Sequence, residues 1–380
     1  EDPLHLSQQQ LFLPYPLARI VSMCNGTKTI SQLHQQLCQD TGESLPESLI
    51  TDTLAQLDKN YLLDNQQSRQ AIDKLQTDWR KQPFRPLAFA GLSYPDAEQE
   101  LDQFLEAFSA EDENTALAKW SDWQGRALIS PHIDYQRGGH VYSQVWQRAR
   151  SAIEAADLIL IFATDHHGGA ASLTLSSIPY ATPYGILPTD QHLVDQLAAT
   201  IGTENAYALE LNHKHEHSIE LVATWLHHIR RECCPVIPIL IGSFYHFTPD
   251  GHPTDDPTIV AFMQKLRELT ADKKVFCIAS VDLAHVGPAF DNDYLMDNTR
   301  KTALAQTDAH LMQAITNGDK EAFYQQLAST RNENNVCGFS PTYLMLDYLG
   351  ETNGTQIAYD QCSADANNTS TVSICGILLD

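Results

Sequence analysis

The chain has 380 residues, of which 43% are hydrophobic, and a formal net charge of −24. This length predicts two or three domains, or one large domain with an appendage. The negative charge argues against nucleic acid and anionic membranes as partners, because Lys and Arg make the contacts to phosphate groups. No apolar run approaches the roughly 20 residues that a membrane-spanning helix needs.

The cysteines favour a reducing compartment. The chain has eight of them, widely spread, with Cys233-Cys234 as the one adjacent pair and no CxxC motif. This pattern is not typical of a disulfide framework. We therefore expect a cytoplasmic protein.

Residues 1–65 predict a small helical module. Three stretches carry apolar residues at helical spacing, Thr29-Ile30-Ser31-Gln32 is a capping-box pattern, and Leu62-Leu63 could begin a short strand. This arrangement resembles winged-helix and PqqD-like domains. The first 80 residues hold 6 Lys/Arg against 10 Asp/Glu, so we expect a protein or peptide partner rather than DNA. Residues 66–83 predict a linker helix.

Residues 84–380 predict an α/β fold with a central, mainly parallel sheet flanked by helices. Short apolar runs recur and are mostly separated by amphipathic helical stretches, as in repeated strand–helix units. Residues 110–116 predict a loop. The apolar runs are 127–129, 158–162, 236–241, 275–279 and 372–379.

Histidine and aspartate follow three of these runs. Because the carboxyl ends of parallel strands meet at one edge of a sheet, we expect these side chains to form one site. A single histidine at a strand end is more often a structural hydrogen-bonding residue. Three such positions beside aspartates favour metal binding or acid–base chemistry. The residues are His132 with Asp134, Asp165 with His166 and His167, and Asp282 with His285.

Two further positions carry weaker signals. Glu216 and His217 open a predicted helix on which Glu220 shares a face with Glu216, although acidic residues at a helix start are also stabilised by the helix dipole. Cys337 precedes another predicted helix, where a thiol has a lowered pKa and can bind metal as thiolate. The alternative for Cys337 is a small buried apolar residue.

Five segments, in order, resemble the Memo family, also known as AmmeMemoRadiSam system protein B. The resemblance covers about residues 84–380 and rests on the joint order of the motifs. The segments are Ala90-Gly91-Leu92-Ser93-Tyr94-Pro95 (family AGSWYP), Pro131-His132-Ile133-Asp134-Tyr135 (PHAGY), Asp165-His166-His167 with Thr182-Pro183-Tyr184-Gly185 (GPSHH and TP-x-G), Glu216-His217-Ser218-Ile219-Glu220 (EHSIE), and Ser280-Val281-Asp282-Leu283-Ala284-His285 with Cys337-Gly338 (SSDxxH and CG).

The resemblance implies a fold similar to that of class III extradiol dioxygenases. It implies that His132, His166 and Cys337 bind a divalent transition metal, with Fe(II) expected first and Cu or Zn as alternatives. It also places Asp282 and His285 in the pocket, where we expect His285, oriented by Asp282, to act as general acid or base. The remaining pocket candidates are Asp134, Asp165, His167, Glu216 and His217.

The chain departs from the family motifs at three points. Asp134 replaces the glycine of PHAGY, Ser93 replaces the tryptophan of AGSWYP, and Thr164-Asp165 replaces Gly-Pro. The added carboxylates predict a more acidic pocket, suited to a harder metal or a cationic substrate.

Three functions therefore stay open at this point. The first is a metal-dependent oxidoreductase of the dioxygenase type, with a small-molecule or peptide ligand in the pocket. The second is a non-enzymatic metal- or peptide-binding protein that contacts a protein partner through residues 1–65. The third and weakest is metal-assisted hydrolysis.

Overall fold

The computed structural model describes residues 4, 6–7, 11–109, 118–248 and 250–380. The predicted loop 110–116 lies outside the described residues. The chain divides into two compact units, residues 1–82 and residues 83–380. Among the described residues, no helix combines the length and the apolar character that crossing a membrane requires.

The first unit is helical. The predicted capping box is present, since Thr29 and Gln32 exchange side-chain and backbone hydrogen bonds at the start of the second helix. The core is formed by Ile20, Leu33, Leu37 and Ile50. The helices are α1 (Tyr15–Met23), α2 (Ile30–Thr41), α3 (Ser48–Lys59) and α4 (Gln66–Arg80).

The winged-helix resemblance of the first unit stays a prediction. Leu62 and Leu63 are not in a strand, and the described residues of this unit contain no strand at all. A winged helix carries a β-hairpin as its wing, so the observed helices alone do not establish it. The helix predicted as a linker is α4, which belongs to the same compact unit as α1 to α3.

The second unit is built around one sheet, and the predicted α/β class with a mainly parallel centre is confirmed. The strand order is β3-β6-β2-β7-β1-β10-β8, with β9 also paired to β10. The four central strands β6, β2, β7 and β1 are parallel to one another, whereas β3 and β10 join them antiparallel. The sheet strands are β1 (Ala127–Ser130), β2 (Leu158–Thr164), β3 (Leu173–Leu175), β6 (Val236–Ile241), β7 (Val275–Ser280), β8 (His285–Val286), β9 (Gly354–Ser363) and β10 (Thr371–Leu379), and β4 (Tyr180–Thr182) and β5 (Gly185–Leu187) form a separate hairpin.

Helices cover both faces of the sheet. Successive strand residues point to opposite faces, so Leu128 packs in one apolar core and Ile129 in the other. Both cores are made almost entirely of fully buried residues, which is why the central strands read as continuous apolar runs. The helices are α5 (Glu98–Glu106), α6 (Tyr135–Glu154), α7 (Gln191–Ile201), α8 (Thr203–Tyr207), α9 (His217–Ile229), α10 (Pro257–Thr270), α11 (Asn298–Thr316), α12 (Lys320–Ser329) and α13 (Phe339–Leu349).

Candidate metal centre

The carboxyl ends of β1, β7 and β2 lie side by side, because these strands are neighbours and parallel. His132 follows β1 by two residues, His166 follows β2 by two, and Asp282 follows β7 by two. The equal offset places the three side chains at one edge of the sheet. The structure therefore brings the predicted strand-end residues together as the sequence indicated.

His132 is almost fully buried, with only 1% of its surface exposed. Its Nδ1 is 3.0 Å from the carbonyl oxygen of Ser280, and a carbonyl can only accept, so Nδ1 carries the proton. Burial, followed by the charges of His166 and His217, lowers the pKa of His132 well below its usual value. The neutral ring therefore presents the Nε2 lone pair, the form in which histidine binds metals.

Glu216 holds the second and third imidazoles. Its Oε1 is 2.9 Å from Nδ1 of His166 and 3.2 Å from Nδ1 of His217, and its Oε2 accepts the backbone N–H of His166. The hydrogen bond fixes the His166 ring with Nδ1 protonated, and Nδ1 of His217 lies at ion-pair distance from the same carboxylate oxygen. Burial opposes ionisation of Glu216, but hydrogen bonding to His166 holds the pKa of Glu216 well below its usual value.

The three imidazoles face one another closely. The ring centroids of His132 and His166 are 5.0 Å apart, those of His132 and His217 are 5.1 Å apart, and the rings of His166 and His217 stack at 4.6 Å. One nitrogen from each ring lies within 4.8 Å of the other two. His217, predicted only as a pocket residue, therefore stands beside His132 and His166 as a third imidazole able to hold a metal.

Cys337 approaches the same group. Its Sγ lies 3.3 Å from Nε2 of His132. Gly338 makes this approach possible, because a Cβ there would lie 2.7 Å from the Val281 Cβ and 2.8 Å from the Asp282 carbonyl oxygen. Burial raises the pKa of the Cys337 thiol even though a hydrogen bond to His166 opposes it. The lowered pKa expected from a helix start is therefore not found, since burial outweighs the helix.

The pKa of His166 is raised. Its side chain is 31% exposed, so partial loss of hydration lowers the pKa, but hydrogen bonds to Cys337 and Glu216 raise the pKa of His166 to about 11. A metal bound by these residues would have to displace protons, as happens wherever ligands bind in their deprotonated forms.

His285 and Asp282 are held by different partners. Nδ1 of His285 is 3.2 Å from the carbonyl oxygens of both Leu283 and Asn335, so Nδ1 carries the proton and Nε2 is the basic atom. Asp282 instead accepts the backbone N–H of His132 at 2.9 Å. No hydrogen bond joins Asp282 to His285 among the described residues. The orientation of His285 thus comes from backbone carbonyls rather than from Asp282.

The pKa shifts of this pair have the same origin. Burial raises the pKa of Asp282 to about 7. Burial, followed by the charge of His166, lowers the pKa of His285 to about 4. His285 is consequently neutral near pH 7, as a proton acceptor must be.

The other three pocket candidates are engaged elsewhere. Asp134 caps α6 through the Arg137 N–H and forms an ion pair with the Arg137 side chain at 2.6 Å. Asp165 accepts hydrogen bonds from Asn212 and from the backbone of His167, and the His167 side chain is exposed. The added carboxylate of Asp134 is therefore neutralised locally by Arg137.

A buried ion pair between Arg85 and Glu220 lies next to the site. Arg85 and Glu220 pair with both side chains fully buried, and Glu220 also accepts the backbone N–H groups of Ala88 and Phe89. Phe89 in turn packs edge-on against the His217 ring, at 5.9 Å between centroids. In the sequence, Glu220 was indicated by the EHSIE resemblance and by its shared helix face with Glu216, whereas no pattern indicated Arg85.

Known proteins match along most of the chain. A family model described as "Memo-like protein" matches residues 85–378. A MEMO1 family protein of Aquifex aeolicus is 24% identical over 381 residues, covering 99% of this chain and 94% of that protein. Another, from Methanosarcina barkeri, is 27% identical over 295 residues, covering 74% of this chain and 96% of that protein. The first alignment takes in the N-terminal unit, and the second does not span the whole chain. The protein therefore belongs to the Memo family, as the motifs predicted.

Proposed function

We propose that this protein binds a divalent transition metal at His132, His166 and Cys337, with His217 adjacent, and acts as a metal-dependent oxidoreductase of the dioxygenase type. The observation that carries the proposal is the shared orientation of the imidazoles. In His132 and His166, Nδ1 is hydrogen-bonded to an oxygen acceptor, and Nδ1 of His217 lies 3.2 Å from the Glu216 oxygen that His166 contacts. The outer acceptor fixes the ring and leaves Nε2 for the metal.

The donor atoms fit a transition metal. Imidazole and thiolate ligands suit Zn, Cu and Fe, whereas Mg and Ca prefer oxygen. Fe(II) remains the first expectation from the family resemblance, with Cu and Zn as alternatives. A metal bound here would supply a Lewis acid and, with iron or copper, a redox couple.

The chain's own residues would handle the proton. His285 is neutral near pH 7 and presents Nε2 as the basic atom. In the dioxygenase version, Nε2 of His285 accepts the phenolic proton of a catechol-like substrate. The Leu283 and Asn335 carbonyls keep the ring from rotating, so that the acceptor atom stays in place.

A second candidate is a metal-binding protein without catalysis. The close approach of the Cys337 sulfur to His132 favours it, because a thiolate ligand alters the chemistry of iron away from catechol cleavage. In either case we propose a small molecule or peptide in the pocket, a protein partner for residues 1–65, no nucleic acid or membrane partner, and a cytoplasmic location.

The test is elemental analysis of the full chain, purified without a chelating tag from cells supplied with Fe, Cu and Zn. We expect near-stoichiometric metal in the parent protein and a sharp loss in His132→Ala and His166→Ala. The control is His192→Ala, an exposed histidine on α7, which should keep its metal. Iron or copper would support the redox function, and zinc would support hydrolysis. Full occupancy in both site variants would overturn the assignment, and a parent protein that binds no metal under any supply would overturn the proposal.

A further inference from the structure

Two adjacent cysteines lie in the turn that connects α9 to β6. Cys233 and Cys234 are both half-buried, whereas Cys277, Cys362 and Cys375 are buried. The turn follows the C-terminal end of α9, and the metal centre lies at the other end, where Glu216 and His217 begin the helix. A helix of 13 residues is about 20 Å long, so the two groups are well separated.

Arg230 sits directly beside this pair. Its Nη1 is 3.3 Å from the Cys234 sulfur and also donates to the carbonyl oxygens of Ile153 and Ala156, at 2.8 Å each. These carbonyls lie at the C-terminal end of α6. Together with the sulfur contact, they hold the guanidinium group in place. A fixed cation next to a sulfur stabilises the thiolate, which is the reactive form of cysteine.

The two thiols differ in acidity. The interaction between the two thiols raises the pKa of Cys233 and lowers the pKa of Cys234, and the charge of Arg230, whose Nη1 lies 3.3 Å from the Cys234 sulfur, lowers the pKa of Cys234 further. One sulfur is thus prepared to attack, and the other stands next to it as the resolving thiol. This division of roles is typical of oxidation-sensitive cysteines.

We infer that Cys233 and Cys234 form a peroxide-reactive thiol site, separate from the metal centre. The Cys234 thiolate attacks one peroxide oxygen, the O–O bond breaks, and hydroxide leaves while a sulfenic acid forms. The Cys233 sulfur then attacks the sulfenic sulfur, the S–O bond breaks, and the released oxygen takes up the Cys233 proton. The hydroxide takes up the proton that Cys234 lost on ionising, so both oxygens leave as water, two thiols lose two electrons and one hydrogen peroxide gains them.

The product is a disulfide between neighbouring residues. A disulfide closed across a single peptide bond departs from the usual spacing of bridged Cα atoms and is therefore easily reduced. The oxidised form should return to the dithiol when a small thiol is added. Reversal by dithiothreitol distinguishes this product from sulfinic or sulfonic acid.

The experiment uses the full reduced chain, freed of metal with a chelator and treated with one equivalent of hydrogen peroxide. After alkylation and digestion, mass spectrometry should show that the peptide with both cysteines has lost two hydrogen atoms and taken up no alkylating agent. Cys24 is the internal reference, since it is also half-buried but has no adjacent cysteine in the sequence. Preferential oxidation of Cys24, with Cys233 and Cys234 still alkylated, would overturn the inference.

Single variants test the order of attack. In Cys233→Ser, a sulfenic acid should persist on Cys234 and be labelled by dimedone. In Cys234→Ser, Cys233 should be labelled several-fold more slowly. Arg230→Gln should slow oxidation several-fold in the otherwise unchanged chain. Equal labelling in the two cysteine variants, or disulfides that join two chains rather than neighbours, would contradict the proposed site.

Discussion

Glu216 serves two imidazoles through one oxygen atom. Oε1 accepts hydrogen bonds from Nδ1 of His166 at 2.9 Å and from the backbone N–H of Ser218 at 3.0 Å, and it lies 3.2 Å from Nδ1 of His217. The residue is 1% exposed, so no water replaces these contacts if the carboxylate is lost. We therefore expect this side chain to position the metal centre as much as the ligands themselves do.

Glu216→Gln should lower metal affinity by about 10- to 100-fold, the usual effect of losing an outer-shell partner. A glutamine side chain accepts hydrogen bonds only through its oxygen. Its NH₂ group would therefore face either the backbone N–H of His166 or the imidazole Nδ1–H, and that donor would lose its acceptor. The measurement is a Zn(II) titration against a competing chelator. Glu220→Gln is the matched control, since that carboxylate is one helical turn further on and bonds to Arg85, Tyr94 and backbone N–H groups.

Comparing the two variants should distinguish an effect on the position of the metal ligands from an effect on the stability of the fold. Glu220→Gln breaks a buried ion pair and should lower the free energy of unfolding by about 3–5 kcal/mol, with a smaller change in metal affinity. If Glu220→Gln weakens metal binding as much as Glu216→Gln does, the effect of Glu216 is a general loss of structure rather than positioning.

At the scale of elements, α9 links the candidate metal centre to the start of the second unit. Its first turn carries Glu216 and His217, and Glu220 on the next turn binds the segment that contains Arg85 and Phe89. Arg85 also donates to the backbone carbonyl oxygens of His213 and Glu216. This one guanidinium thus fixes both the helix start and the chain before it.

Asp308, on α11, has a buried carboxyl group that does not belong to the candidate metal centre. Asp308 is fully buried and accepts one hydrogen bond from Tyr359 of β9, at 2.8 Å, while its Oδ1 has no hydrogen-bond partner among the described residues. Burial raises the pKa of Asp308 from 3.8 to about 6. The folded state therefore binds the proton more tightly than the unfolded state does.

The sign of this shift predicts how stability changes with pH. Between pH 3.8 and about 6 the folded protein holds the extra proton, so the contribution of Asp308 to stability falls as pH rises through this range. Asp308→Asn should be more stable than the parent protein at pH 7 by on the order of 2 kcal/mol, and the difference should vanish near pH 4. Urea unfolding at pH 4, 5, 6 and 7 measures it.

The control for this prediction is Asp272→Asn, which changes an exposed aspartate and should leave the pH dependence as it is. A stability difference between Asp308→Asn and the parent protein that is the same at every pH would show that Asp308 does not titrate differently in the folded state.

At the scale of the whole molecule, the candidate site belongs to one unit. All of its residues, from His132 to Cys337, lie within residues 83–380, as does the whole family match. The first unit has its own small core. Each unit therefore has the apolar contacts that an independently folding domain needs.

Deleting residues 1–82 should leave a folded protein with unchanged metal affinity. Circular dichroism and urea unfolding measure the fold, and the Zn(II) titration measures the site. An insoluble product, or unfolding without a cooperative transition, would show that the units depend on each other. Binding of duplex DNA by the full chain at moderate salt would contradict the interpretation of its negative charge.

Local patterns in the sequence determined the elements and the edge of the sheet that carries the site. Apolar runs and helical spacing depend on residues within a few positions of one another, so the strands β1, β2 and β7 and the helix at His217 could be predicted. Because the carboxyl ends of parallel strands meet at one edge of a sheet, the predicted parallel sheet then placed His132, His166 and Asp282 together. The family motifs added Cys337, whose own spacing favoured no function.

Contacts between distant segments were decided only by the tertiary structure. Arg85 and Glu220 are 135 positions apart, and the sharing of Glu216 between His166 and His217 depends on how α9 docks beside β2. No local pattern specifies such partners, because they follow from the strand order and from the depth at which each side chain is buried. For the same reason, the structure alone showed that the Asn335 carbonyl helps to orient His285 and that burial raises the pKa of Cys337.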